Sequence, residues 1–490
     1  MTALTSPRTI PLPCTHVDDI YVDGGWRTAS SSNRLPVVDP ATGEQWGSVP
    51  DADDTDVETV MAAAANAFHT GPWPRMTAAE RAGYLVRMAG ELENRANDLA
   101  LTNTRENGSP ITETAGAAAN AASILRYFAS LTDVLDRDDE REFPAGGAFT
   151  TVRRDPVGPC VLIAPWNFPI NLMVIKLAPA LLAGCTAVLK PAESTPLSIR
   201  FVVEAAAAAG IPPGVVNLIT GSGAVGNALV RHPRTAKVAF TGSTPVGRRI
   251  GAACGELLKP VTLELGGKSS AIVLADADLD AMSKMLIRSS MRNTGQTCYI
   301  STRILAPAER YDEVVEMVTA TVAGAKQGDP FDDDTVFGPM ATRAQRDSVL
   351  DHLASARAEG ARVTTGGYAV EGPGFFVAPT VLADVTPDMR VAREEIFGPV
   401  ISVLRYASVD EAVAIANGTE FGLGGLVFSS DPVAARAVAE RMDTGSVGLN
   451  FFASNHAAPF GGRHASGLGV EYGPEGLAAY VTYKSIHQRH

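Results

Sequence analysis

"CVLIAPWNFPINLMVIKLAPALLAGCTAVLKPAES", Cys160–Ser194, is the stretch whose reading decides the fold. It is strongly apolar from Val161 to Leu189, and between Pro165 and Val188 its only charge is Lys176. A membrane span needs about 20 apolar residues in one helix. Pro165, Pro169 and Pro179, with Asn167 and Asn171, interrupt any such helix. A buried strand, a polar turn, a buried helix and a second strand account for the run better.

Downstream the alternation continues. "CVLIAP" reads as a strand, Phe168 to Ala183 as a helix and "TAVLKP" as a strand, followed by a helix through "LSIRFVVEAAAAAG". The strands "VVNLIT", "KVAFTG" and "VTLEL" are then separated by helices over "AVGNALVRH" and "PVGRRIGAACGELL". Such regular alternation implies βαβ units and a parallel sheet covered on both faces. A second α/β run takes in "SAIVLAD", a helix from Asp278 to about Arg292, "STRILAP", helices near 309–325 and 342–359, "FGPVISVLRY" and "GLGGLVFSS". Upstream, residues 57–103 carry apolar positions at helical spacing. "DVLDRDDEREFPAGGAFTTVRRDPVG" resembles a β-hairpin, and "GLAAYVTYKSIHQ" ends in another β-prone run. Two projecting strands of this kind suit pairing across a subunit interface.

The chain has 490 residues, which predicts two to four domains. With 46% hydrophobic and 19% charged residues it reads as a folded globular protein. A net charge of −13 argues against a nucleic-acid partner, which asks for a basic face. Five scattered cysteines, with no CxxC pair and no neighbouring histidines, form neither a disulfide framework nor a metal site. They fit a reducing compartment, hence a cytoplasmic location. The start, "MTALTSPRTIPLPCTHVDD", lacks the apolar core of a signal peptide.

Two glycine-rich loops compete for a dinucleotide. "GSGAVG" has GxGxxG spacing after a strand, with Gly223 and Gly226 in it, but no acidic residue stands about 20 positions further on to hold a ribose. The pyrophosphate is not assigned to it, although both glycines are kept as cofactor contacts. "TAVLKPAES" supplies what is missing: Lys190 and Glu193, a cation and a carboxylate just beyond a strand, fit a vicinal diol. "FTGSTPVG" places Gly242 and Ser243 where a helix opens and free N–H groups suit a phosphate.

Of the five cysteines, Cys298 in "NTGQTCYIS" stands in chemically suggestive company. The motifs "PWNFP", "KPAE", "FTGS", "LELGGK", "GQTC", "EEIFGPV" and "PFGG" resemble those of the NAD(P)-dependent aldehyde dehydrogenase superfamily, in its order and spacing, over about 155 to 485. The resemblance implies an α/β fold with a Rossmann-type cofactor domain (1–131 and 151–265), an α/β catalytic domain (266–468) and a β-hairpin oligomerisation arm (132–150 and 469–490). It implies Cys298 as nucleophile, Glu264 as general base and Asn167 as oxyanion donor. Around NAD it implies Pro165, Trp166, Lys190, Glu193, Gly242, Ser243, Leu265, Glu395 and Phe397, and it gives Lys176 a supporting place behind the site. Homodimers or homotetramers are the family's usual assemblies. His464 and Val470 depart from the family's C-terminal motif, and the unusual segment between Asn450 and Pro459 bears on substrate identity.

The residue types suit the chemistry. A thiolate builds the tetrahedral adduct from which an aldehyde gives up hydride, an amide N–H stabilises the oxyanion, and a carboxylate activates water against the thioester. Glu193 on a ribose repels a 2′-phosphate, which favours NAD over NADP. Phe168, Leu172, Ile175, Tyr299, Phe451 and Phe452 predict an apolar tunnel for an aliphatic, terpenoid or aromatic aldehyde. The alternatives are a CoA-acylating relative, which has no use for Glu264, and a non-catalytic NAD-binding protein of the same fold. A thiol protease or transferase lacks a histidine signature beside the cysteine.

Overall fold

The fold is that of a computed structural model describing residues 14–136 and 139–490. Most of the N-terminal stretch read as lacking a signal peptide, and positions 137 and 138 of the hairpin, lie outside the described residues.

Five parallel strands form the centre of the first sheet, in the spatial order Val216–Leu218, Thr186–Lys190, Pro159–Ile163, Lys237–Thr241, Val261–Glu264. The first of them in sequence, Pro159–Ile163, therefore has the chain's next strand on one side and its fourth on the other. This reversal of strand order opens a crevice beyond the carboxyl ends of Pro159–Ile163 and Lys237–Thr241. Ile163 lies level with Lys190 and Phe240, so the loops starting at Ala164, Pro191 and Gly242 leave the sheet side by side.

The strands Pro159–Ile163 and Thr186–Lys190 are buried throughout, and the helix Pro169–Ala183 between them is buried except at Asn171 and Leu172, as a parallel strand pair and its crossover helix require. Proline opens the helix Pro169–Ala183, and Gly184, at φ 95°, ends it in the left-handed region. Among the described residues, no helix is long and apolar enough to cross a membrane.

The second sheet has seven strands, ordered Arg362–Thr365, Thr380–Val385, Val400–Tyr406, Arg303–Pro307, Ser270–Val273, Gly424–Phe428, Ser446–Leu449. All neighbours are parallel except the first pair. The link from the first sheet runs through Leu265–Ser269. Cys298 sits on the loop between the helix Leu279–Ser290 and the strand Arg303–Pro307.

The hairpin strands Asp139–Glu142 and Ala148–Pro156 pair antiparallel, and the second runs past the expected boundary at 150. Within the chain, Ala148–Pro156 also pairs along its whole length with Val481–Arg489, which forms the edge of this sheet. The short strands Asp19–Val22, Gly25–Thr28, Arg34–Val38 and Gln45–Pro50 were not anticipated. The first two extend the central sheet beside Val216–Leu218.

Fully buried Glu106 stitches the helical layer to the sheet. Its two carboxylate oxygens accept from the N–H groups of Ser198 (3.0 Å) and Leu197 (2.8 Å), at the start of the helix Ser198–Ala208 that follows the Lys190–Glu193 loop. Glu106→Ala strands both donors, at about 1–3 kcal/mol each. The expected result is a melting temperature lowered by several degrees, with Glu106→Gln in between; calorimetry checks it, and an unchanged transition refutes the stitch.

Candidate active site

The crevice at the strand-order reversal is a cavity of about 1070 Å³, bordered by Trp166, Lys190, Glu193, Gly223, Gly226 and Ser243 among others. Burial pushes the Lys190 ammonium down to about 8, with Glu193 opposing. Gly226 is the wall beside it, since a Cβ there would stand 3.5 Å from the lysine's Cδ and Cε. Exposed Ser243 precedes the helix Thr244–Glu256 without capping it, so its hydroxyl and the first N–H groups remain free for an anion.

A second cavity of about 420 Å³ shares Pro165, Trp166, Thr241, Gly242 and Ser243 with the first, and the two form one cleft. It contains Asn167, Leu265, Cys298, Glu395 and Phe397. Glu395 accepts from the Gly267 N–H at 3.0 Å, and burial raises its carboxyl to about 7, against the pull of that N–H and of Lys268. Position 266 must be glycine, because a Cβ there would run into the Glu395 carboxylate. Phe397 stands edge-on to Trp166, with centroids 5.3 Å apart. It adopts φ 54°, a costly conformation for an aromatic residue, with its carbonyl held by the Gln345 amide at 2.9 Å.

Cys298 is the one free cysteine that is not fully buried. Asn293, Thr294 and Gly295 ahead of it are all left-handed, and a Cβ on Gly295 would collide with the Gly398 carbonyl. Side chains fix this turn. The Asn167 amide donates to the Gln296 carbonyl (2.9 Å), the Asn293 amide to the Asn167 carbonyl (3.1 Å), and Ser109 Oγ to Asn293 Oδ1 (2.5 Å). Burial, then the charges of Glu395 and Glu264, push the Cys298 thiol up to about 12, while its own N–H and that of Tyr299 pull the other way.

Glu264 ends the last parallel strand, buried, with neither carboxylate oxygen bonded. Burial and then Glu471 raise its pKa well above the usual range, and Lys176 opposes them. Lys176 itself is spent on Glu471 Oε1 (2.7 Å) and Thr241 Oγ1 (2.5 Å). Glu264 does not border the cleft; it acts on Cys298 through space. Its unpaired oxygens are the kind of orphan that an unseen polar partner or a chemical role explains.

The sequence profile of the aldehyde dehydrogenase family matches residues 26–486. The chain belongs to the aldehyde dehydrogenase family. It is similar to geranial dehydrogenase of Castellaniella defragrans, at 48% identity over 96% of this chain and 98% of the relative. Among solved structures it is similar to an aldehyde dehydrogenase of Mycobacterium tuberculosis complexed with NAD+ (TM-score 0.92, 40% identity, 96% of this chain and 97% of that one). It is also similar to a mutant of aldehyde dehydrogenase C of Pseudomonas syringae complexed with NAD+ and octanal (TM-score 0.92, 38% identity, 99% and 98% covered).

In this aldehyde dehydrogenase the expected tunnel residues divide. Tyr299 and Phe452 stack with centroids 4.8 Å apart, and Phe168 lies under the Arg292 guanidinium at 5.0 Å. Leu172 is half-buried against the first core. Ile175 is only 2% exposed and packs into that core, and Phe451 is 59% exposed on its loop. Neither makes an aromatic contact with the Tyr299 group. Of the pair in "FFASN", Phe452 joins Tyr299 and Phe451 is turned to solvent. Sequence reasoning missed Phe460 and Tyr472, which extend the ring cluster from Tyr299, and His456, stacked on Tyr472 at 5.1 Å. Their aromatic type was a signal, but the contacts cross long separations. Lys268, buried with an unbonded ammonium and drawn down to about 7 by burial, was also missed.

The sign of the electrostatics is testable on free enzyme. Neutralising the carboxylate next to a buried thiol lowers the thiol's pKa, and one unit is tenfold in thiolate fraction. Alkylation of Cys298 by iodoacetamide at mildly alkaline pH should therefore speed up several-fold in Glu395→Gln. Glu264→Gln should act in the same direction by less, since Glu264 weighs on the thiol less than Glu395 does. Equal rates in wild type and Glu395→Gln would refute this account.

Proposed function

We propose that the enzyme oxidises an apolar aldehyde (aliphatic, terpenoid or aromatic) to the carboxylic acid with NAD, through a thiohemiacetal and a thioester on Cys298. One observation carries the reading. Cys298, Asn167 and Glu395 share a cavity that runs without a break into the one bordered by Lys190, Glu193 and Ser243. A long cleft with a diol clamp at one end, an anion-receptive helix start at the middle and a thiol at the other has the shape and donor set of a dinucleotide site. Relatives complexed with NAD+, one of them with octanal, and a relative named for geranial support both cofactor and substrate class.

Cys298 Sγ adds to the carbonyl carbon. The Asn167 amide keeps one N–H on Gln296 and has a second to offer the oxyanion, beside the Cys298 N–H. Bound NAD supplies a cationic ring that accepts the hydride and favours the thiolate. Glu395 and Phe397 would hold that ring's ribose and face, and Pro165, Trp166 and Leu265 would border it. Gly223, Gly226 and Gly242 would leave room for the rest. Glu264, once ionised, takes a proton from water and directs it at the thioester. A CoA-acylating enzyme would have no need of this carboxylate, which disfavours that alternative.

The domain division follows the two sheets, with the cofactor on the first and the cysteine loop on the second. The edge strand Val481–Arg489 offers unpaired backbone groups to a second copy, in a homodimer or homotetramer.

NADH formation with a panel of apolar aldehydes, repeated on Cys298→Ala, tests the reading. Wild-type turnover and none in the variant is expected; undiminished oxidation by Cys298→Ala overturns it. Asn167→Ala should lose about 10²–10³ in kcat. A base with a raised pKa gives activity that climbs as pH rises through that pKa, above the usual carboxylate range, since it works only when ionised. Glu264→Gln should flatten that climb and accumulate the thioester, visible by intact-protein mass spectrometry. Faster turnover with NADP than with NAD at equal concentration would refute the role of Glu193.

A further inference from the structure

Between the proposed nucleophile and the start of the buried helix stands a charged group that the reaction does not require. Arg292 lies six positions before Cys298, at the end of the segment leading into the left-handed turn. Its Nε and Nη2 both reach Glu113 Oε2 at 2.9 Å, and its Nη1 donates to the Tyr299 hydroxyl at 2.8 Å. Its guanidinium carbon lies 5.0 Å from the centroid of Phe168. Tyr299, so held, stacks on Phe452 at 4.8 Å and 18°.

One planar cation therefore touches two of the rings assigned to the substrate wall. These rings come from distant places: Phe168 from the first sheet's switch loop, Tyr299 from the cysteine loop of the second. Glu113, on the short helix Ile111–Thr114, anchors the cation from a third element. Guanidinium suits this task because it can stack by its face while donating from its edge, which an ammonium cannot do together. Burial works against the charge, yet Tyr299 and Glu113 outweigh it and the guanidinium's pKa moves up. The cation is thus permanent at any working pH.

We propose that Arg292 is a specificity-determining positioning residue: clamped by Glu113, it fixes the spacing between Phe168 and the Tyr299–Phe452 stack and so sets the width of the pocket for bulky apolar aldehydes. This rests on the reading that Phe168 and Tyr299 line that pocket. Arg292 makes no contact with the reacting atoms. It acts through the two rings, which would otherwise turn about their own side-chain torsions. A pocket of defined width discriminates between apolar chains by amounts of about 10–200-fold, and a loosened one forfeits part of that.

The test compares kcat/KM for a bulky apolar aldehyde, cinnamaldehyde or decanal, with that for propanal, which is too small to feel the wall. In Arg292→Met the ratio should fall about tenfold, chiefly through KM for the bulky aldehyde, with kcat for propanal little changed. Arg292→Lys should recover part of the loss, since a charge on Glu113 returns without the planar face. Tyr299→Phe keeps the stacked ring and loses only the hydroxyl tie, so it should shift the ratio in the same direction by less. It also decides the matter alone if Arg292→Met does not fold. An unchanged ratio in both Arg292→Met and Tyr299→Phe, while Phe168→Ala and Tyr299→Ala alter it, would overturn the clamp and leave the pocket standing. An unchanged ratio in all four would overturn the pocket as well.

Discussion

The hydrogen bond from the Asn167 amide to the Gln296 carbonyl joins the two halves of the molecule where it matters. Asn167 follows the strand at which the first sheet reverses its order, and Gln296 lies two residues before Cys298 on a loop of the second. The Asn293 amide returns a bond to the Asn167 carbonyl, so each loop both donates and accepts. All of these groups are buried, and a buried polar pair is costly to break. The left-handed run Asn293–Gly295 persists because these bonds and the close approach of Gly398 leave it no other conformation. Without that joint, the thiol and the cleft would belong to two separate α/β layers.

Around the joint the electrostatics lean one way. Glu264, Glu395 and the Cys298 thiol are all pushed toward their protonated forms, primarily by burial. The nearby cations relieve them only in part: Lys176, bonded to Glu471, opposes the shift of Glu264, and Lys268 opposes that of Glu395. Water cannot solvate the charged forms at this depth, and too few donors replace it. A site so arranged favours a cation more than water does.

Much of this was legible in the sequence because it is local. The switch strand, its crossover helix and the strand that returns beside it follow from an apolar run broken by prolines at turn positions. Cys298, Asn167, Glu264 and Glu395 each sit in a short motif, and side chains fixed by a tight turn or a strand end land where the motif puts them. The strands of residues 19–50 were not legible, since they are short and all but Asp19–Val22 are largely exposed or only partly buried. A pattern of that kind over four to six residues barely differs from a loop. Ile175 and Phe451 show the second limit. Being apolar and close in sequence to a catalytic position says nothing about which way a helix face or a loop side chain turns. Arg292 shows the third: its partners lie seven and more than a hundred residues away, so its task emerges only once the chain is folded.

A thiol held near pKa 12, chiefly by burial, is a poor nucleophile until something favours its ionised form. At neutral pH almost none of the free enzyme's Cys298 is ionised, which protects a partly exposed sulfur from oxidants and stray electrophiles. The Glu395 carboxylate, which adds to the burial that raises the thiol's pKa, also makes the cleft attractive to a cation. A cationic ring held beside Glu395 would offset part of what disfavours the thiolate. In the proposed reaction, ionisation of Cys298 would thereby be coupled to binding of the coenzyme.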